Sequence, residues 1–222
     1  MNAPLHNELK KEFQLERMIL FSDAVFAIAI TLLAIEIKVP ELNRHTATDE
    51  QLGHELGELI PKFIGFFVSF FIIGLYWTIH HRMFGFVVNY TTRLLWLNLI
   101  FLLAVVLMPF STAFYSVYII RLLNTPVIIY VVNIVFLGIM NFILWLYLTH
   151  PKRHLVEGVS KEEKKYFSIR AITVPIVFII IALVYLFISP HVAIWVPPVI
   201  PLVMRILKWR FRKIQDKKIK AG

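Results

Sequence analysis

The feature that most limits what this chain can become is a series of apolar runs, each about as long as a bilayer is thick. A helix rises about 1.5 Å per residue, so crossing the hydrocarbon core takes roughly 20 mostly apolar residues. The runs at 18–39, 63–81, 94–120, 126–148, 171–189 and 192–207 are spans on this reading. The third is the longest and is expected to tilt or overrun the membrane. The sixth is short and carries Pro197, Pro198 and Pro201, so it is expected to be kinked or partly irregular. Composition agrees: 59% of residues are hydrophobic and 17% charged, against about half and about a quarter in a soluble domain. With no cysteine in the chain, a disulfide-stapled secreted module is excluded, as are a water-soluble enzyme and a disordered chain. The expected fold is all-α, a single six-helix transmembrane domain over residues 1–222.

Charge sets the expected topology. With the N-terminus in the cytoplasm, 19 of the 23 Lys and Arg residues fall on the inner side, leaving Lys38, Arg44, Lys62 and Arg121 outside. This follows the positive-inside rule and predicts a multi-pass protein of the cell (inner) membrane with both termini cytoplasmic. The polar stretch 1–16 shows no signal peptide. The net charge of +9 is therefore a topology signal rather than a nucleic-acid footprint. The tail Lys208-Trp209-Arg210-Phe211-Arg212-Lys213 is expected to rest on anionic lipid, not on nucleic acid. The first outer loop is acidic, with Glu41, Asp49, Glu50, Glu55 and Glu58. It reads either as a cation-concentrating mouth or as an ordinary solvated loop.

The first span carries the unusual chemistry. Most spans are Leu, Ile, Val and Phe, but this one holds Ser22, Asp23 and Thr31 among small and apolar residues. An intramembrane carboxylate costs about 2.5–3.5 kcal/mol at mid-span, so Asp23 is expected to be paired or hydrated. At about 100° per residue, Arg17, Phe21, Ala24, Ile28, Thr31 and Ile35 form one narrow stripe, with Ser22 and Asp23 on flanking faces. Several copies of this helix around an axis would stack rings of Ile28, Thr31 and Ile35. Apolar rings constrict a pore and a hydroxyl ring replaces part of an ion's hydration. The same stripe also fits a plain packing seam, in which Thr31 bonds its own helix.

The run Arg17-x-x-x-Phe21-Ser22-Asp23 resembles the signature of the transmembrane protein 175 family of potassium channels. Trp77-x-x-His80 with Arg82 and Phe84 resembles the end of that family's second helix. Leu97-Asn98-Leu99 followed by Leu107-Met108-Pro109-Phe110 resembles its third. The likeness covers roughly the first half of the chain. It implies a potassium-selective cation channel of the prokaryotic single-repeat form, a homotetramer with its pore lined by the first helix of each subunit. It further implies a hydrophobic constriction at Ile28, a hydroxyl layer at Thr31 and an apolar layer at Ile35, the stripe found on the wheel. Potassium is then the permeant species, held transiently near Thr31, with no cofactor and no resident metal. Ser22 and Asp23 are expected to hydrogen-bond His80 and Asn98 and so fix the rotation of the first helix, with Arg17 near its cytoplasmic end.

Other chemistry is poorly supported. His150 and His154 are four apart, but Pro151 lies between them and no further ligand completes a metal set, so a loop pair is expected. No phosphate loop, nucleophile elbow or metalloprotease helix is present, so no enzyme is expected. The main rival to a passive leak channel is a cation- or proton-coupled secondary transporter using Asp23, although no second half mirrors the first. A membrane scaffold without transport is the third reading, and it predicts a dispensable Thr31. No span carries an arginine ladder, so voltage sensing is not expected.

Overall fold

A computed structural model describes residues 4–43, 45–189 and 199–219. Among them the helices are α1 (Pro4–Ile35), α2 (Asp49–Glu58), α3 (Ile60–Phe84), α4 (Thr92–Val106), α5 (Met108–Tyr118), α6 (Asn124–Leu148), α7 (Lys161–Phe187) and α8 (Val199–Ile219). Five stretches are long and apolar enough to cross a membrane: Glu12–Ile35, Ile60–Phe84, Thr92–Tyr118, Asn124–Leu148 and Lys161–Phe187. The sequence predicts six. Residues 192–198 of the sixth span lie outside the described residues. Helix α8, immediately beyond, runs on into Arg205, Lys208, Arg210, Arg212 and Lys213, too polar a run to count as a crossing helix.

Helices extend beyond the apolar runs wherever polar chemistry continues them. The expected fifth span begins at 171, yet α7 starts ten residues earlier, at Lys161. The reason is a capping box: Glu163 N–H donates to Ser160 Oγ at 3.1 Å, and Ser160 N–H donates to Glu163 Oε2 at 2.9 Å. Apolar periodicity cannot see such a start. The same device builds α2 in the acidic segment after α1, where Thr48 and Gln51 cap each other. Asp49 and Glu50 occupy its first turn, where carboxylates suit the helix dipole, and none of its residues is buried.

The third span is not one helix. It breaks at Leu107, between α4 and α5, with Pro109 at the start of the second piece. Proline has no N–H to give the carbonyl four residues back, and its ring crowds that carbonyl. Just beyond Pro109, Ser111 and Thr112 are buried, and their hydroxyls donate to Met108 O at 3.1 and 2.7 Å. Thr112 Oγ1 lies 2.7 Å from Ser69 Oγ, which is 2.9 Å from Tyr130 OH. This buried hydroxyl cluster joins α3, α5 and α6.

The helices stack in order. α1 lies on α3, α4 and α5; these lie on α6; α6 pairs extensively with α7; and α8 packs on α7, with Tyr166 and Phe211 stacked at 4.3 Å. The α6–α7 pairing is close because Gly138 has no side chain. A Cβ there would run into the ring of Pro175 and the hydroxyl of Tyr76. Small residues at crossings are how membrane helices approach, since van der Waals packing rather than water exclusion drives their association.

At the end where α3 stops and α7 begins, two loops are latched together. Val87 and Val156 form an antiparallel bridge, with Val88 N–H donating to Leu155 O at 2.9 Å and Glu157 N–H to Phe86 O at 3.0 Å.

Candidate pore helix and its anchoring network

Helix α1 has two different long faces. Met18, Ser22, Phe26, Ala29 and Leu33 are buried, at the three- and four-residue spacing of one face. Arg17, Phe21, Ala24, Ile28, Thr31 and Ile35 are exposed in the single chain, Ile28 by 58% and Ile35 by 67%. The stripe read from the sequence is therefore a face that the described residues of the chain leave exposed. Thr31 Oγ1 donates to Ile28 O at 2.8 Å, three residues back. Its proton is committed to the helix, so the hydroxyl oxygen keeps its lone pairs for whatever lies outside. Arg17 sits over the ring of Phe13, 5.6 Å from its centroid.

The buried face is held by a directed chain of hydrogen bonds. Ser22 is fully buried and its hydroxyl donates to Met18 O at 2.8 Å. Its oxygen accepts from Asn98 Nδ2 at 2.8 Å. Asn98 Oδ1 lies 2.9 Å from His80 Nε2. Because the amide oxygen can only accept, the imidazole proton belongs on Nε2. Three helices thus contribute one group each, and every donor in the chain points toward α1. Asn98 and His80 are each 1% exposed.

The surroundings fix the imidazole. It stacks on Phe84 at 4.1 Å and lies parallel to Phe101 at 5.5 Å, with Phe26 at 5.7 Å on a tilted approach. Rings at these separations pack and orient one another. Phe26 comes from α1 itself, so the helix is held by an aromatic contact beside its polar one. Neither Phe26 nor Phe101 stands out in the sequence, being two among 19 phenylalanines.

Asp23 departs from expectation. Instead of sharing Ser22's partners, its Oδ1 accepts from Trp77 Nε1 at 2.9 Å. The cause is angular: successive residues lie about 100° apart on a helix, so Ser22 and Asp23 cannot both face His80. Asp23 is half-buried at the edge of the α1–α3 contact, and Trp77, one turn before His80 on α3, is partly exposed beside it. The structure therefore brings together Ser22, His80 and Asn98 as one group and Asp23 with Trp77 as another. Phe21 belongs to neither and lies on the free face.

The other candidate groups lie elsewhere. His150 and His154 flank a single 3-10 turn, Pro151–Arg153, and His150 Nδ1 accepts from Lys152 N–H at 3.3 Å. The hydroxyl cluster of Ser69, Thr112 and Tyr130 is absent from the sequence reading, although isolated hydroxyls in apolar spans are the available signal.

A family model described as the endosomal/lysosomal potassium channel TMEM175 matches residues 17–109, the part of the chain that contains both anchoring groups. A potassium channel of Streptomyces collinus is 37% identical over 131 residues, which are 58% of this chain and 62% of that protein. That match thus spans less than two thirds of the relative's length. A potassium channel of a Chryseobacterium species is 28% identical over 89% of this chain and 95% of its own length. Among solved structures, the lysosomal potassium-selective channel TMEM175 homologue from Chamaesiphon minutus superposes with a TM-score of 0.72 at 28% identity, covering 89% of this chain and 98% of that one. These likenesses agree with the signature at the start of α1 and with the all-helical fold: residues 17–109 match the TMEM175 family model, and the chain resembles potassium channels of that family over most of its length.

Proposed function

We propose that this chain is one subunit of a homotetrameric, potassium-selective channel that conducts passively through a central pore lined by α1. The observation that carries the reading is the free face of that helix. A helix whose opposite face is anchored by three hydrogen-bonded residues and a buried phenylalanine presents to the outside six residues in register, apolar except for Thr31 and, at the start of the stripe, Arg17. Lipid alone has no use for so fixed a rotation; a pore axis does.

In this reading Ile28 forms the constriction, Thr31 a hydroxyl ring about 4.5 Å further along the axis, and Ile35 a second apolar layer about 6 Å beyond that. Potassium sheds its hydration more cheaply than sodium, so a narrow apolar ring admits it more readily. The Thr31 oxygens, with their protons turned to Ile28 O, present lone pairs that replace part of the lost water. Selectivity of this origin is moderate. Ser22, Asn98 and His80 are positioning residues that hold Ile28 to the axis, and Asp23 with Trp77 secures the rim. Both termini lie on the cytoplasmic side of the inner membrane, and the partners are three further copies of the chain and membrane lipid. The names borne by the bacterial relatives support potassium as the permeant ion.

The test is the reversal potential in planar bilayers under a potassium/sodium gradient, for wild type beside Thr31→Ala and Ile28→Asn. A potassium-directed reversal that shrinks in Thr31→Ala, with larger unitary current in Ile28→Asn, is expected. Absence of current together with saturating, proton-dependent cation uptake into liposomes would overturn the channel and favour a transporter built on Asp23.

A further inference from the structure

We propose a second, ligand-binding site at the opposite end of the bundle from α2: a cavity between the end of α6 and the start of α7 that takes a phosphate group, supplied by the headgroup of an anionic phospholipid. The cavity has a volume of about 260 Å³. Its polar wall carries His150, His154, Lys161 and Lys164. Its apolar wall carries Leu148, Leu155, Val156 and Val159.

Each side of that wall has a job. His150 Nδ1 is occupied by Lys152 N–H, which places the ring proton on Nε2 and leaves that N–H as a donor. Lys164 Nζ donates to Thr149 O at 3.0 Å, which ties one ammonium across the floor of the cavity with two further protons to give. Lys161 is exposed. Of the neighbouring carboxylates Glu157, Glu162 and Glu163, none lines the cavity, and Glu163 is turned onto Ser160 N and Oγ at 2.9 Å each. Because that capping box also closes the start of α7, the anion is met by side chains rather than by the helix end. Arg153 is likewise engaged elsewhere, stacked on Tyr147 at 3.9 Å and donating to Tyr147 O.

The apolar wall decides between two sources of phosphate. Leu148 is the last residue of the membrane-crossing helix α6, so the cavity opens at the level where that helix leaves the bilayer. A free phosphate has no use for the partly exposed Val156 and Val159, whereas a glycerophospholipid offers an apolar portion directly beneath its phosphate. Basic pockets at this depth on the cytoplasmic side are where anionic headgroups are held. On the topology proposed above, this is the inner leaflet. The floor is rigid because Leu155 and Glu157 are bonded to the loop beyond α3. Phe84, the last residue of α3, stacks on His80, so an occupied cavity braces the helix that anchors α1.

The experiment is native mass spectrometry of the full-length protein released from detergent, in the presence of phosphatidylglycerol or phosphatidylcholine. It is paired with thermal unfolding of the same protein titrated with inorganic phosphate. Wild type is expected to retain phosphatidylglycerol over phosphatidylcholine. The double variant Lys161→Gln, His154→Asn is expected to lose that preference by about fivefold, while Lys161→Arg keeps it. Asparagine tolerates the left-handed backbone of residue 154, where φ is 49°. Stabilisation by inorganic phosphate that the double variant abolishes, without any lipid preference, would leave a phosphate site and overturn the lipid as its source. Equal lipid ratios and equal phosphate responses in wild type and double variant would overturn the site. Should the double variant misfold, Lys161→Gln alone gives the same readout, since that side chain makes no capping contact. None of these measurements depends on conduction, so failure here and failure of the channel reading are separable.

Discussion

Phe26 and Ile28 are two residues apart on α1 and live in different worlds. Phe26 is 1% exposed, among His80 and Phe101, whereas Ile28 is 58% exposed. The inner face is specified by geometry, with donors, acceptors and rings in definite places. The outer face is specified only by character, apolar with one hydroxyl. The lesson is that a helix can be held by one side so that the other is free to be presented. The pore reading needs this division, because a face that packed on its own subunit could not also line an axis shared with three others.

The division can be broken. Phe26→Ala empties an aromatic-sized space between α1, α3 and α4 and is expected to cost about 3–5 kcal/mol of subunit stability. Ile28→Ala, a smaller truncation at a position already 58% exposed, is expected to stay within about 0.5 kcal/mol. Thermal unfolding in detergent compares them directly, and equal losses would mean that the free face is not free. Next in size is Asn98→Leu. It strands His80 Nε2–H in an apolar aromatic setting, an orphaned buried donor worth about 1–3 kcal/mol, and it should lower the unfolding midpoint and broaden the single-channel current levels as α1 gains rotational freedom. A midpoint unchanged from wild type would mean that the relay is ornamental. Smallest is Trp77→Phe, which removes only the donor to Asp23. Interhelical bonds in membrane proteins average about 0.6 kcal/mol, so a shift near the limit of measurement is expected, and a loss as large as that of Asn98→Leu would make Asp23, rather than Ser22, the principal anchor.

What can be read from the sequence depends on which interactions obey a local rule. The spans are readable because apolar length is a local property, and the stripe Arg17 to Ile35 because helical angle is. Ser22, His80 and Asn98 announce themselves as polar groups in apolar helices, where a partner is obligatory. Which partner each one takes is not local. Assigning Asp23 to Trp77 requires the azimuth of α3 against α1, which no spacing within one helix contains. The hydroxyl cluster of Ser69, Thr112 and Tyr130 needs still more, because its three members come from three different helices. The early start of α7 is hidden for a different reason. It rests on a polar cap in a stretch whose hydropathy says loop.

The close crossing of α6 and α7 has a consequence for how such a chain can change over generations. Gly138 is bare because the ring of Pro175 and the hydroxyl of Tyr76 occupy the place its side chain would take. A lineage cannot gain even an alanine at position 138 while that ring remains, and losing the ring first leaves a gap that an alanine would fill. The two positions therefore form an ordered pair of steps: proline out before side chain in. Relatives that differ here are expected to differ at both sites or only at 175, and the combination of a side chain at 138 with proline at 175 is the one that descent should avoid.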